Sequence, residues 1–139
     1  SPEPDAPAVD GPLTTVPLIR VAVARSGDKG DKANIGVLPR DPVFAPWIWR
    51  ALTPEAVTDR FAHFLDGDVT RFFLPGTGAL NLVLDRVLGG GGVASLRNDP
   101  QGKGYAQLLL DHPVAIPERL LERARRPRRD PHTPRIVNE

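Results

Sequence analysis

Neither cysteine nor methionine occurs among the 139 residues. Without cysteine there is no disulfide scaffold, no thiolate metal site and no cysteine nucleophile. Long apolar runs are missing too: none approaches the ~18 residues that a membrane-spanning helix needs. The start, Ser1-Pro2-Glu3-Pro4-Asp5, lacks the basic and apolar regions of a signal peptide, and no initiator methionine precedes it, so these first residues carry little weight. Together these absences point to a cytoplasmic protein with no membrane partner. Charge of one sign is scarce as well. A net charge of +1 and an aromatic content of 6% leave little for electrostatic binding or base stacking, so nucleic acid is not an expected partner.

What the chain does have is proline and glycine, and the two are segregated. Nine of the 16 prolines lie in 1–17 and 117–139, whereas 12 of the 13 glycines lie in 18–116. Proline fixes φ and removes a donor, which suits extended arms; glycine inside a folded unit marks turns and close approaches. The expected organisation is a Pro-rich arm over 1–16, one domain over 17–116 and an Arg/Pro-rich tail over 117–139. The tail holds seven arginines against four acids, and its charge and proline content read as a solvated, partly disordered segment.

Within the domain, Leu18–Ala24 reads as a strand with Ile19, Val21 and Val23 on one face, and Asn34–Leu38 as a second. Between them lies a polar loop, Ser26-Gly27-Asp28-Lys29-Gly30-Asp31-Lys32. Pro42 and Pro46 bracket an irregular stretch before Trp47-Ile48-Trp49, whose bulk suits the core. Thr53-Pro54 combines an N-cap with a proline at the first helical position, starting a helix expected to reach Leu65. His63, on its flank, reads as a surface or packing residue. Val69–Leu74 reads as a third strand, Ala79–Leu88 as a second helix, Val93–Arg97 as a fourth strand and Gly104–Asp111 as a short helix; Pro117–Leu121 can begin a last one. Such an order makes an α+β sandwich, a sheet of about four strands with helices on one face.

The densest chemistry is Arg25 to Asn34. Gly27 and Gly30 could let several N–H groups point into one anion-binding nest, with Arg25, Ser26, Lys29 and Lys32 as further donors. Asp28 and Asp31 could instead hold a cation or act as acid and base, although two carboxylates alone make a weak metal site, and no metal is assigned. An ordinary polar hairpin-like connection fits the same residues. The spacing fails the P-loop pattern, since Lys32 stands where its second glycine belongs. Gly76-Thr77-Gly78-Ala79-Leu80-Asn81 has a partial dinucleotide fingerprint, but Pro75 argues against that turn, and a sharp helix entry explains both glycines. Asn81 either turns toward a site or lies exposed. Gly89–Gly92 is a mobile lid or a spacer, and Arg97, Asn98, Asp99, Gln101 and Lys103 form a second polar cluster.

Four segments together resemble the small C-terminal domain of the AtuA family of acyclic terpene utilisation proteins: ARSGDKGDKANIGV at 24–37, LPGTGALNLVL at 74–84, Gly90–Gly92, and SLRNDPQGKGYAQLLLDHPV at 95–114. The likeness covers about residues 17–116, and ARSGDKGD followed by ANIGV carries most of its specificity. It implies a ferredoxin-like fold and a setting in acyl-CoA catabolism of branched or terpenoid acids, with hydratase or lyase chemistry and a coenzyme A thioester as ligand; the cofactor is left open. Arg25, Ser26, Asp28, Lys29, Asp31 and Asn34 match the motif, as do Asn81, Asp99, Gly102 and Lys103 further on, whereas Lys32 stands where a small or hydroxyl residue is expected. The resemblance implies that Arg25, Ser26, Gly27, Lys29, Gly30, Asn34, Asn81 and Lys103 bind ligand, with Asp28 or Asp31 moving a proton. AtuA proteins carry a much larger domain before this one, so a separate large subunit is the expected partner, in an oligomer. The other reading is a non-catalytic module that stabilises that partner.

Overall fold

A computed structural model describes residues 11–87 and 103–125, together with Glu3, Pro4 and Ala8. The order is β1 (Leu13–Pro17), a 3-10 turn at Leu18–Arg20, β2 (Ala22–Lys29), β3 (Lys32–Pro39), a 3-10 turn at Pro42–Phe44, α1 (Ala45–Ala51), α2 (Pro54–Arg60), β4 (Val69–Leu74), β5 (Ala79–Leu84), α3 (Lys103–Leu110), β6 (Pro113–Pro117), a 3-10 turn at Glu118–Leu120 and α4 (Leu121–Arg125). No helix among the described residues is long and apolar enough to cross a membrane.

Two sheets form: a four-stranded one in the order β2-β3-β5-β4, and the pair β1-β6. Every neighbouring pair is antiparallel, so β3 and β4 run the same way with β5 between them, and α1 and α2 make the crossover. The core face of the sheet follows from a period of two. Ala33, Ile35 and Val37 of β3 stand opposite Leu84, Leu82 and Leu80 of β5, and all six are buried. Against them pack Phe44, Trp47, Ile48, Leu52, Val57, Phe61, Tyr105 and Leu109 in one hydrophobic cluster. Burial of these aliphatic and aromatic side chains, each contributing about 1.5–3 kcal/mol, holds the helices on one face. The result is the α+β sandwich expected, with a four-stranded sheet.

Polar contacts secure the layers at particular points. Thr53 caps α2 by accepting the Ala56 N–H at 3.1 Å, as its sequence context implies. Arg71 points from β4 to the end of α1, where one of its terminal amines donates to the carbonyls of Trp49 and Leu52. Its guanidinium also stacks 3.5 Å from the centroid of the Trp49 ring, and burial lowers its pKa. A cation at a helix C-terminus meets the negative end of the peptide dipoles, so Arg71 ties the sheet to α1 electrostatically. His112, just after α3, does the same for three helices. Its Nδ1 accepts from Arg60 Nε at 2.9 Å, which leaves Nε2 to carry the proton and donate to Ala51 O at 3.2 Å.

Several expectations shift. Residues 25–33 are not a loop: β2 runs to Lys29, pairs Lys29 with Lys32, and leaves Gly30 and Asp31 as a two-residue turn with Gly30 at φ +64°. Leu18–Arg20 is a 3-10 turn, so Ile19 and Val23 are exposed while Val21 is buried. The expected helix at Ala79–Leu88 is strand β5, in hairpin with β4. The irregular stretch at Pro42–Trp49 is a 3-10 turn leading into α1, with Pro46 in its first turn. The helix from Thr53 ends at Arg60, short of Leu65. The folded unit is also larger than 17–116: β1 begins at Leu13 within the expected arm, and Leu120 and Ala124 of the expected tail are buried. The expected strand at Val93–Arg97, Gly89–Gly92 and residues 126–139 lie outside the described residues.

Candidate functional site

Alternation that buries one face of the sheet presents the other to solvent, and among the described residues no element covers it. The register lays this open face out in rows across β2, β3, β5 and β4. The first holds Val23, Leu38, Ala79 and Leu74; the second Arg25, Gly36, Asn81 and Phe72; the third Gly27, Asn34, Val83 and Thr70. A fourth row follows at the hairpin end, where β2 and β3 finish at the Lys29–Lys32 pair and Asp85 donates its N–H to Asp68 O.

The rows grade from apolar to charged. Val23 and Leu38 are each 44% exposed, Phe72 50% and Leu74 51%, an unusual concentration of large apolar side chains on one surface. Gly36 leaves the middle of the sheet without a side chain, and its absence makes a trough of about 500 Å³ between β2 and β4. Arg25 and Asn81 are among its lining residues and supply its polar functions. Asn34 Nδ2 donates to Asn81 Oδ1 at 3.2 Å, which leaves the Asn81 amide N–H₂ and the Asn34 carbonyl oxygen to face a visitor. In the fourth row Lys32 and Asp85 pair at 3.5 Å.

The fold thus brings four of the sequence-expected site residues, Arg25, Gly27, Asn34 and Asn81, to one face. Gly27 has a packing reason to lack a side chain, because a Cβ there would stand 3.3 Å from Asn34 Oδ1. Ser26 goes to the other face, where its Oγ accepts the Ala106 N–H at 3.3 Å in the first turn of α3. Ser26 thereby holds a helix in place. Asp28 stands in register with Ala33 near the end of β2, and Asp31 occupies the turn, where its carbonyl accepts the Val87 N–H at 2.7 Å. The two acids are therefore on different parts of the hairpin. Extended backbone from Arg25 to Lys29 points successive N–H groups to opposite edges of the strand, so the convergent nest expected from Gly27 and Gly30 does not form there. Lys103 begins α3, at the opposite layer from the trough, while Asp99 and Gly102 lie outside the described residues.

Among the described residues no three His, Cys, Asp or Glu side chains are grouped so as to hold a metal ion. Sequence reasoning missed the apolar half of the surface, although Leu38, Phe72 and Leu74 stand at alternate positions to buried neighbours and could have been identified once the strands were in register.

A sequence profile of the AtuA ferredoxin-like domain matches residues 16–115. No curated protein and no solved structure matches the chain.

Proposed function

Because the chain belongs to the AtuA ferredoxin-like family, we propose that it is the small component of an AtuA-type assembly in acyl-CoA catabolism of branched or terpenoid acids, and that it assembles through the open face of its sheet. The observation that carries this reading is the four half-exposed side chains Val23, Leu38, Phe72 and Leu74 on one surface that no element covers among the described residues. A soluble domain gains nothing from keeping such a patch wet, and covering it removes apolar area from water at roughly 25 cal/mol per Å². Four of the residues that the family resemblance marks, Arg25, Gly27, Asn34 and Asn81, share that face.

The test is co-purification of the chain with a tagged large AtuA-type domain, comparing the parent with Leu74→Asp. Leu74 is exposed, so the substitution leaves the core intact. Retention of the parent and loss of the variant is the expected result; equal retention of both refutes the face as the assembly surface.

A second reading has its own support in Arg25 and Asn81, which line the apolar trough. In that reading the assembled enzyme is a hydratase or lyase acting on a coenzyme A thioester. Arg25 faces an anionic group and the Asn81 amide donates to a carbonyl. Arg25→Ala and Asn81→Ala in the complex then each raise KM. Unchanged KM in both variants, with assembly intact, overturns the ligand-contact reading and leaves the assembly reading standing.

A further inference from the structure

The open face is complementary to itself. Across the four-stranded sheet the order of side chains in each row reverses under a two-fold axis lying parallel to the strands, so that β2 of one copy faces β4 of another and β3 faces β5. In the charged row, Lys32 occupies the β3 position and Asp85 the β5 position, where they pair at 3.5 Å within the chain. Under the same reversal each Lys32 also comes opposite the Asp85 of the second copy. In the second row Arg25 comes opposite Phe72, an arrangement suited to a cation over an aromatic face, and Gly36 comes opposite Asn81. In the first row Leu38 comes opposite the small Ala79, while Val23 meets Leu74. In the third row Gly27 comes opposite Thr70 and Asn34 opposite Val83. Bulk meets space at Leu38 and Ala79, apolar meets apolar at Val23 and Leu74, and charge meets countercharge at Lys32 and Asp85, as an isologous interface requires.

We infer that the occupant of the open face is a second copy of this chain, joined sheet to sheet in a two-fold dimer. The inference rests on the reading of this face as the assembly surface: the small component enters its assembly as this dimer, so that Leu74→Asp breaks the dimer and, with it, co-purification with the large domain. Sheets packed this way keep their strands within about 30° of one another, so the rows stay in approximate register despite the twist. Four strands about 4.8 Å apart and four rows about 6.8 Å apart cover roughly 500 Å² per copy before side-chain relief. Two copies therefore bury on the order of 1,000 Å², the lower bound for a specific interface, and the dimer is a reversible one.

Sedimentation equilibrium on the chain, up to about 200 μM, tests the inference. The parent is expected to dimerise in the micromolar range, and Leu74→Asp to weaken dimerisation at least about tenfold with an unchanged far-UV spectrum. Lys32→Glu alone and Asp85→Lys alone each place like charges across the interface and favour monomer. Mixed in equal amounts, they restore opposite charges between chains, though not within either chain, and a heterodimer is expected. A parent that remains monomeric over the whole range overturns the inference, as does a dimer indifferent to Leu74→Asp or a mixture that stays monomeric. If the parent is monomeric while Leu74→Asp still abolishes co-purification with a large AtuA-type domain, the second-copy inference falls and the assembly reading survives. If neither assay responds, both fall.

Discussion

Replacing Arg71 removes the cation that joins the sheet to α1, and the structure sets the size of the effect. In the parent, one terminal amine of Arg71 serves the carbonyls of both Trp49 and Leu52, while the guanidinium plane lies over the Trp49 indole. Hydrogen bonds from a charged donor contribute about 1.5–3 kcal/mol; because one amine is shared between two acceptors, they count here as little more than a single bond. The stacked cation adds about 0.5–1 kcal/mol at a partly exposed site. Release of the immobilised side chain returns up to about 2 kcal/mol of rotamer entropy, which offsets part of the loss. Arg71→Ala should therefore destabilise the fold by about 2 kcal/mol, or roughly 8–16 °C in Tm for a domain of this size. Urea denaturation followed by tryptophan fluorescence reads this directly, since Trp49 is the residue being uncovered. Arg71→Lys should fall between the two, because an ammonium reaches a carbonyl but cannot present a planar donor pair while stacked. Arg71→Met keeps the apolar stem and isolates the polar contribution. If Arg71→Ala lies within about 0.5 kcal/mol of the parent, the two carbonyls are satisfied without it and the account of α1 is wrong.

The other predictions concern single atoms. Burial first, and then the neighbouring Arg60 charge, lower the His112 pKa from 6.5, so the folded state binds fewer protons than the unfolded one. Stability is accordingly full above the unfolded value of 6.5 and declines as pH falls through it toward the depressed folded value; denaturation midpoints between about pH 7.5 and 5 should fall in the parent and stay flat in His112→Asn. Gly67 sits where a Cβ would stand 2.5 Å from the Asp85 carbonyl oxygen, a backbone atom that cannot swing aside, so Gly67→Ala should cost about 1–3 kcal/mol by thermal denaturation. The buried Tyr105 hydroxyl has no hydrogen-bond partner among the described residues. Tyr105→Phe should consequently leave stability unchanged or raise it by up to about 1 kcal/mol, and a loss beyond that in calorimetry would reveal a partner for the hydroxyl.

The parts of this fold that local chemistry controls could be read from the residues. Thr53-Pro54 starts α2, Val69–Leu74 is a strand, and the α3 segment is helical, each because the determining groups lie within a turn of one another. The β5 segment shows where such reading fails. Leu80, Val83, Leu84 and Val87 satisfy helical spacing, but Leu80, Leu82 and Leu84 satisfy alternation equally well, and pairing with β3 and β4 decides between them. Arg71 offers a different lesson, because its partners are carbonyls 19 and 22 residues away and carbonyls leave no mark in a sequence. Of the candidate site, Arg25 stands out at the head of the polar run 25–34 and Asn81 as an amide in apolar surroundings, yet their place on one face depends on the β3–β5 register. Ser26 reads only as one donor of a polar loop, which has no faces, whereas strand β2 has two and turns its Oγ to the Ala106 N–H.

Pairing β1 with β6 places Leu13 directly across from Pro117, so the first and last strands of this unit adjoin, at Cα positions about 5 Å apart in an antiparallel ladder, before the chain continues through α4 to the buried Ala124. A unit whose terminal strands adjoin can be spliced into a surface loop of a host protein with only a short connection after α4. Its length would add only slowly to the entropy of closing the loop, since a folded insert holds its own ends together. The same ladder would let the domain be carried at the tip of a host, its sheet facing outward, and moved between proteins as a cassette.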